Sequence, residues 1–211
     1  SLRELGLAYD CGCTRREIRA AVGAEAGEIV YPGTCRGGLP PGRGPRAVRL
    51  RTDDELVAFT DAVQGRFAQR LESEVGDFVV RRADGMFAYQ LAVVVDDAAQ
   101  GVTHVVRGAD LLDSTPRQIH LLRSLGLPLP RYTHVPVAVT PDGLKLSKQT
   151  GAPPLRDDHP VPSLAAAFGL LGQPLPSDAA RLDKRAFWEW AREYWDPDCI
   201  PAVRQTELVE G

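Results

Sequence analysis

The sequence predicts an α/β fold, and three observations predict it. Residues 103–107 read as a buried strand ending at Arg107-Gly108. Residues 116–125 read as a helix, with Ser114 or Thr115 as cap, Pro116 in the first turn and Gly126 as the stop. Residues 134–140 are a second apolar strand, ended by a turn at Pro141-Asp142-Gly143. Strand, helix and strand in that order favour a parallel sheet with a crossover helix.

The remaining elements follow from capping residues and alternation. Residues 1–7 read as the end of a helix closed by Gly6, and residues 8–13 as a short strand. Thr14 with Glu17 three residues on is a capping box, so a helix is expected through about Val22. Residues 32–45, PGTCRGGLPPGRGP, are too rich in glycine and proline for helix or ladder. Residues 47–51 alternate apolar and charged as a half-buried strand does. Further strands are expected near 57–60, 65–71 and 78–82, with Gly85 marking a turn. Residues 87–95 are apolar but for Gln90, which fits a buried helix or a buried strand. Two helices close the chain, at 163–171 and at 179–195, the latter with three tryptophans.

A length of 211 residues fits one large domain or two small ones. With 44% hydrophobic and 25% charged residues, the composition excludes a disordered tail, a collagen repeat and a coiled coil. No apolar run reaches the roughly 18 residues of a membrane helix. The first residues, SLRELGLAYD, lack the basic start and apolar core of a secretory signal, so a cytoplasmic protein is expected. The net charge of −3 conceals a gradient. Residues 1–51 carry nine basic against five acidic side chains, including Arg15, Arg16, Arg19, Arg36, Arg43, Arg46, Arg49 and Arg51. Such an excess suits either phosphate contacts or a solvated arginine-rich surface.

Three groups of residues carry the chemistry. Cys11, Cys13 and Cys35 cluster around the glycine- and proline-rich loop, a pattern that in a cytosolic protein favours a metal over three buried or free thiols. Tetrahedral zinc wants four donors. The local candidates for the fourth are Tyr31, Asp10 or a water, because the first histidine is His104. Four protein ligands would make the site structural. The second group is Lys145-Leu146-Ser147-Lys148-Gln149. Two of only three lysines sit here in a chain that otherwise uses arginine, after the strand at 134–140. Compact, mobile ammonium groups there can close on a polyphosphate, or can decorate a solvated turn. The third group is Tyr89 with Arg107 at a strand end. Arg107 can grip a substrate carboxylate with Tyr89 as a phenol donor, or form an ion pair with Asp96, Asp97 or Asp110; spacing alone favours the ion pair. His104, His120 and His134 fall in or beside apolar elements and read as core or surface residues, and no nucleophile triad assembles from the spacing.

In this order the groups resemble the class I glutamyl-type tRNA synthetases, and among them the short paralogue that modifies tRNA(Asp). The segments that carry the likeness are CGC at 11–13, YPGTC at 31–35, DFVVRRADGMFAYQLAVVVDD at 77–97, GVTHVVRGADLLDSTPRQI at 101–119 and KLSKQ at 145–149. The resemblance covers about residues 1–160. It implies a Rossmann-like nucleotide-binding fold of which the second half is present, with an inserted zinc-binding acceptor-type subdomain and a short helical tail. The implied boundaries are 1–9 for the end of the first half-core, 10–76 for the insert, 77–150 for the second half-core with the lysine loop, and 151–211 for the helical region. It further implies Cys11, Cys13, Tyr31 and Cys35 as zinc ligands, Tyr89 and Arg107 as the glutamate-binding pair, and Lys148, assisted by Lys145, as the ATP-binding lysine of the mobile loop. The implied reaction is glutamate plus ATP, with Mg2+, giving glutamyl-adenylate and pyrophosphate. Transfer to the queuosine base of tRNA(Asp) follows, in a monomer with no membrane partner. Sixty-two residues follow Gln149, and Ala109 and Leu111 stand where full glutamyl synthetases tend to carry Glu and His. Both features favour the short paralogue over a cut discriminating glutamyl-tRNA synthetase that charges tRNA(Glu), or over a non-catalytic zinc-stabilised RNA-binding module. The family's HIGH signature, expected about a hundred residues upstream of CGC, is not in these 211 residues. This chain alone is therefore expected to be inactive in glutamate-dependent ATP–pyrophosphate exchange; exchange by the isolated chain would overturn that expectation.

Overall fold

A computed structural model describes residues 1–23, 29–147, 151, 154 and 158–208. The chain folds as two compact units. The first comprises Ser1–Phe59, Arg66–His104 and Asp113–Arg131, and the second Thr60–Gly65, Val105–Leu112 and Tyr132–Gly211.

The first unit is built on a three-stranded sheet of β1 (Ala8–Cys11), β2 (Ala47–Leu50) and β5 (Phe78–Arg81), in the order β1-β2-β5. Both pairings are antiparallel, with Cys11 opposite Ala47 and Tyr9 opposite Arg49. A bulge between Val48 and Arg49 shifts the register toward β5. Helix α1 (Arg15–Val22) opens on the expected capping box, Thr14 and Glu17 satisfying each other's orphan donors, and stops at Gly23 in the left-handed conformation. Strands β3 (Leu56–Asp61) and β4 (Gly65–Arg70) form a hairpin, followed by the short helix α2 (Leu71–Glu74). The apolar run that fitted helix or strand is helical, as α3 (Tyr89–Ala99). It packs with α4 (Thr115–Leu125), where Pro116 and Gly126 stand at the predicted ends. Leu50, Phe78, Val80, Val94, Leu121 and Leu122 meet in the core between sheet and helices. Each such burial contributes about 1.5–3 kcal/mol.

The second unit contains most of β6 (His104–Gly108) and β7 (Arg131–Val135), which are hydrogen-bonded neighbours with α4 between them in sequence. It also holds β8 (Val137–Val139) paired in parallel with β9 (Gln205–Glu207). Helices α5 (Val161–Leu170) and α6 (Lys184–Tyr194) bury Phe168 against Phe187 edge to face, with Trp190 beside both. Among the described residues no helix is long and apolar enough to cross a membrane.

Four differences from the sequence expectations have local causes. The strand at 134–140 is two strands, because Pro136 lacks an N–H and fixes its own φ. The helix at 179–195 is a 3-10 turn at Ala179–Arg181 and then α6, because the Asp183 carboxylate accepts from Ala186 N at 2.8 Å and starts a new helix. Residues 1–7 form turns ending at Gly6 rather than a helix end. The parallel sheet is limited: the described strands form one three-stranded and three two-stranded sheets, and the three-stranded one is antiparallel.

The first unit is tied together by one buried carboxylate. Asp77 is 2% exposed. Its Oδ1 accepts from Arg36 Nη2 and Thr52 N at 2.8 Å each and from Thr52 Oγ1 at 3.1 Å. Its Oδ2 accepts from Arg36 Nε at 2.9 Å and from the Tyr9 hydroxyl. Burial alone would raise the Asp77 pKa; the donors from Tyr9, Arg36 and Thr52 outweigh it and hold the carboxyl below its ordinary value. A depressed carboxylate contributes stability that is complete above the unfolded pKa of about 3.9 and is lost as pH falls through the lower native value. Asp77→Asn turns an amide N–H toward donors on either face and is expected to cost about 3–5 kcal/mol. Denaturant melts at pH 7 measure that loss, and melts below about pH 4 should show a smaller gap between variant and parent.

Candidate functional site

The cysteine loop comes together as the spacing implies. Cys13 Sγ lies 3.6 Å from Cys35 Sγ, and the Tyr31 hydroxyl lies 3.4 Å from Cys11 Sγ and 3.8 Å from Cys13 Sγ. The three sulfurs all lie within 4.8 Å of one another, and all three cysteines are free thiols. Zinc–sulfur bonds of about 2.3 Å at tetrahedral angles require sulfurs about 3.8 Å apart, so the donor set fits that ion. The Tyr31 oxygen is the further donor atom beside the sulfurs, and the Cys35 amide donates to it at 3.0 Å. Asp10 instead pairs with Arg3 at 2.6 Å.

The four donors come from three places in the chain. Cys11 ends β1, Cys13 precedes the Thr14 cap, and Tyr31 and Cys35 flank the Pro-Gly turn. Tyr31 is seated on Gly76, whose backbone bridges it in parallel. A Cβ at Gly76 would stand 2.6 Å from both Tyr31 N and Tyr31 O, and φ there is +72°, so a side chain is excluded twice over. Cys35 is positioned through its neighbour Arg36, which clamps Asp77 and also reaches Glu72 at 2.6 Å.

Arg49 is the residue of this site that sequence reasoning missed. It is 9% exposed. Its Nε donates to Cys11 Sγ at 3.3 Å, its guanidinium carbon sits 3.7 Å over the Tyr31 ring, and Nη1 donates to Asp77 O at 2.6 Å. A buried cation beside Cys11 favours the thiolate form of that residue. Burial alone would raise the Cys11 pKa, but the hydrogen bonds from Tyr31 and Arg49 hold it below its ordinary value. Burial and the hydrogen bond with Cys35 push Cys13 up to about 11. No sequence signal marked Arg49, since the alternation at 47–51 reads equally well with that arginine on the solvent side. The same packing revises the charge reading. Arg36, Arg43, Arg49 and Arg51 are engaged with Asp77, Glu17, Cys11 and the Gly6 carbonyl, while Arg15, Arg16, Arg19 and Arg46 stand exposed.

Tyr89 opens α3 in the first unit and is 50% exposed. Arg107 lies on β6 in the second unit, half-buried. Its Nε donates to His134 Nε2 at 3.0 Å, and its guanidinium carbon lies 5.8 Å from the Tyr132 ring centroid. Asp110, a considered ion-pair partner for Arg107, pairs with Lys145 at 2.6 Å. Asp110 lies three residues beyond Arg107, in the turn that follows β6. Lys148 and Gln149 lie outside the described residues. His134 and Asp61 are the other residues missed. The turn after Asp61 carried a signal: an aspartate four residues before Gly65 suits a side-chain-bonded turn.

A family model for "tRNA synthetases class I (E and Q), catalytic domain" matches residues 1–159. Three curated relatives are each named glutamyl-Q tRNA(Asp) synthetase. That of Dechloromonas aromatica is 56% identical over 95% of this chain and 67% of its own length. That of Aromatoleum aromaticum is 52% identical over 98% and 65%. That of Thiobacillus denitrificans is 50% identical over 95% and 66%. The chain thus spans about two thirds of the length of the curated relatives it matches. Among solved structures, glutamate-tRNA synthetase from Elizabethkingia anophelis superposes with a TM-score of 0.72 at 20% identity, over 96% of this chain and 48% of its own. A glutamate tRNA ligase from Elizabethkingia meningosepticum, in complex with its amino acid, gives 0.72 at 20% identity over 99% and 49%. At that identity the likeness shows a shared mixed α/β fold.

Proposed function

The chain belongs to the class I tRNA synthetases of the glutamate and glutamine type, and on that premise we propose that it serves to activate glutamate with ATP and to transfer the glutamyl group to the queuosine base of tRNA(Asp). The observation that carries this is 56% identity, over 95% of the chain, with a relative named for that substrate. In this reading residues 77–150 are the second half of a Rossmann-like core, 10–76 an inserted zinc-binding subdomain, 1–9 the end of the first half-core and 151–211 a helical tail.

Adenylation joins a glutamate carboxylate oxygen to the α-phosphorus of ATP and breaks the bond to pyrophosphate, which leaves with its electron pair. Little covalent work falls to the protein, and the rate comes from alignment and charge stabilisation. Arg107 and Tyr89 hold the amino acid so that its carboxylate approaches in line. Lys148, with Lys145, closes on the polyphosphate as charge moves to the leaving group, and a Mg2+ bound with ATP would supply further charge neutralisation there. A hydroxyl on the cyclopentene ring of queuosine then attacks the acyl carbon, and AMP leaves.

A structural zinc on Cys11, Cys13, Tyr31 and Cys35 completes the proposal. When bound, the ion supplies a cross-link for a loop that has little core of its own. What supports it is the sulfur spacing and the Arg49 cation beside Cys11. Metal analysis of the purified protein is expected to give one zinc per chain, and Cys35→Ser to lower that occupancy. A metal-free protein with intact thiols would remove the assignment.

The functional test uses the full-length protein. Glutamate-dependent ATP–pyrophosphate exchange is expected without tRNA, followed by labelling of tRNA(Asp) only when it carries queuosine. Lys148→Ala is expected to slow exchange by about 100-fold, the usual loss when a transition-state charge partner is removed. Charging of tRNA(Glu) at its 3′ end, with no queuosine dependence, would replace this proposal with a discriminating glutamyl-tRNA synthetase.

A further inference from the structure

The second unit contains a buried chain of hydrogen bonds that ends on Arg107. Asp61 and His134 both have side chains with no exposed surface. Asp61 Oδ1 accepts three backbone N–H groups, from Val63 at 3.0 Å, Gln64 at 2.9 Å and His134 at 3.0 Å. Asp61 Oδ2 lies 2.6 Å from His134 Nδ1. His134 Nε2 lies 3.0 Å from Arg107 Nε. The Tyr132 ring stacks on His134 at 6.2 Å between centroids and an interplanar angle of 19°.

The donors and acceptors leave one arrangement. An arginine Nε is a donor and never an acceptor. His134 Nε2 must therefore present a lone pair, which excludes the imidazolium and the Nε2-protonated tautomer. The remaining tautomer carries its proton on Nδ1 and donates it to Asp61, whose other oxygen is already committed to three amides. Burial, which holds the His134 pKa below its ordinary value against the pull of Asp61, agrees with a neutral ring.

We infer that His134 is a positioning residue for Arg107: fixed by Asp61 as the Nδ1-protonated tautomer, it accepts from Arg107 Nε and sets the plane in which the guanidinium meets a carboxylate. This rests on the reading of Arg107 as the arginine that binds glutamate. Asp61 acts one step further back and touches no substrate.

Asp61→Asn tests the chain of bonds with almost no change of shape. The three amides keep the Asn oxygen in the Oδ1 position, so its NH2 faces His134 Nδ1. That nitrogen must then accept, the proton moves to Nε2, and Nε2–H confronts Arg107 Nε–H. Ring 15N shifts of the full-length protein, with His134 identified by its loss in His134→Gln, are expected to show Nδ1 protonated in the parent and Nε2 protonated in Asp61→Asn. In the exchange assay Asp61→Asn should raise the glutamate KM at least about tenfold, the value of a charge-assisted hydrogen bond, and leave the ATP KM unchanged. An Nε2-protonated or doubly protonated ring in the parent overturns the inference without any variant. Arg107→Ala separates it from the functional reading. If Arg107→Ala leaves the glutamate KM unchanged, the glutamate reading falls and takes the positioning role with it. If Arg107→Ala raises the KM while Asp61→Asn switches the tautomer without raising it, only the inference falls. His134→Gln, which can set an amide oxygen where Nε2 stands, should keep the glutamate KM within about threefold of the parent, whereas His134→Leu should not. Equal values for those two variants would also overturn the inference.

Discussion

A carboxylate taken out of water needs donors on both oxygens, and the first unit is organised around meeting that need at Asp77. Its five donors come from β1, from the loop at 32–45 and from the segment after β2. Removing any one leaves a buried carboxylate oxygen short of a donor, so the three segments are held to one arrangement. The consequence for chemistry runs through adjacency in the chain. Arg36 follows Cys35, and Arg49, which donates to the carbonyl of Asp77, also donates to Cys11. The cysteine loop has too much glycine and proline to form helix or ladder. Its sulfurs converge because the residues beside them are committed to the Asp77 hub.

The parts of this structure that were legible in the sequence are those decided within one turn or one strand. Thr14 with Glu17, Pro116 with Gly126, and the alternation at 47–51 each specify an element by bonds or burial a few residues apart. The cysteine cluster was legible for a chemical reason, since three thiols near one loop in a chain with four cysteines restrict what the loop can do. What could not be read depends on partners far apart in the chain. Arg49 to Cys11 spans 38 positions and His134 to Asp61 spans 73. An arginine on an alternating strand and a histidine in an apolar run look alike whether they face solvent or a buried partner. The split of 134–140 was readable from Pro136, and the run of apolar residues around it outweighed that signal.

The two units use the same physical device at different places. Asp77 in one and Asp61 in the other are buried aspartates whose oxygens are saturated by backbone and side-chain donors, and each passes that order to a residue with chemistry to do. Gly108 serves the second case. It follows Arg107 directly, and a Cβ there would stand 2.6 Å from Asp110 Oδ1 and 2.8 Å from Val137 Cγ1, so only a bare backbone lets β6 end beside β8 and Asp110 turn to Lys145.

The choice of a histidine to hold Arg107 has an electrostatic reason. On the proposed role of Arg107 as the arginine that binds glutamate, a carboxylate in that place would orient the guanidinium equally well and would cancel its charge, weakening its pull on an anionic substrate. A neutral imidazole orients without cancelling. The carboxylate is then set one ring further back, where Asp61 fixes the tautomer and its own charge is spread over four hydrogen bonds, three of them from amides. Distance and that distribution reduce its effect on Arg107, while the fixed ring transmits direction undiminished. Orientation through His134 is in this way supplied by a ring that brings no charge of its own to Arg107, as the inferred tautomer requires.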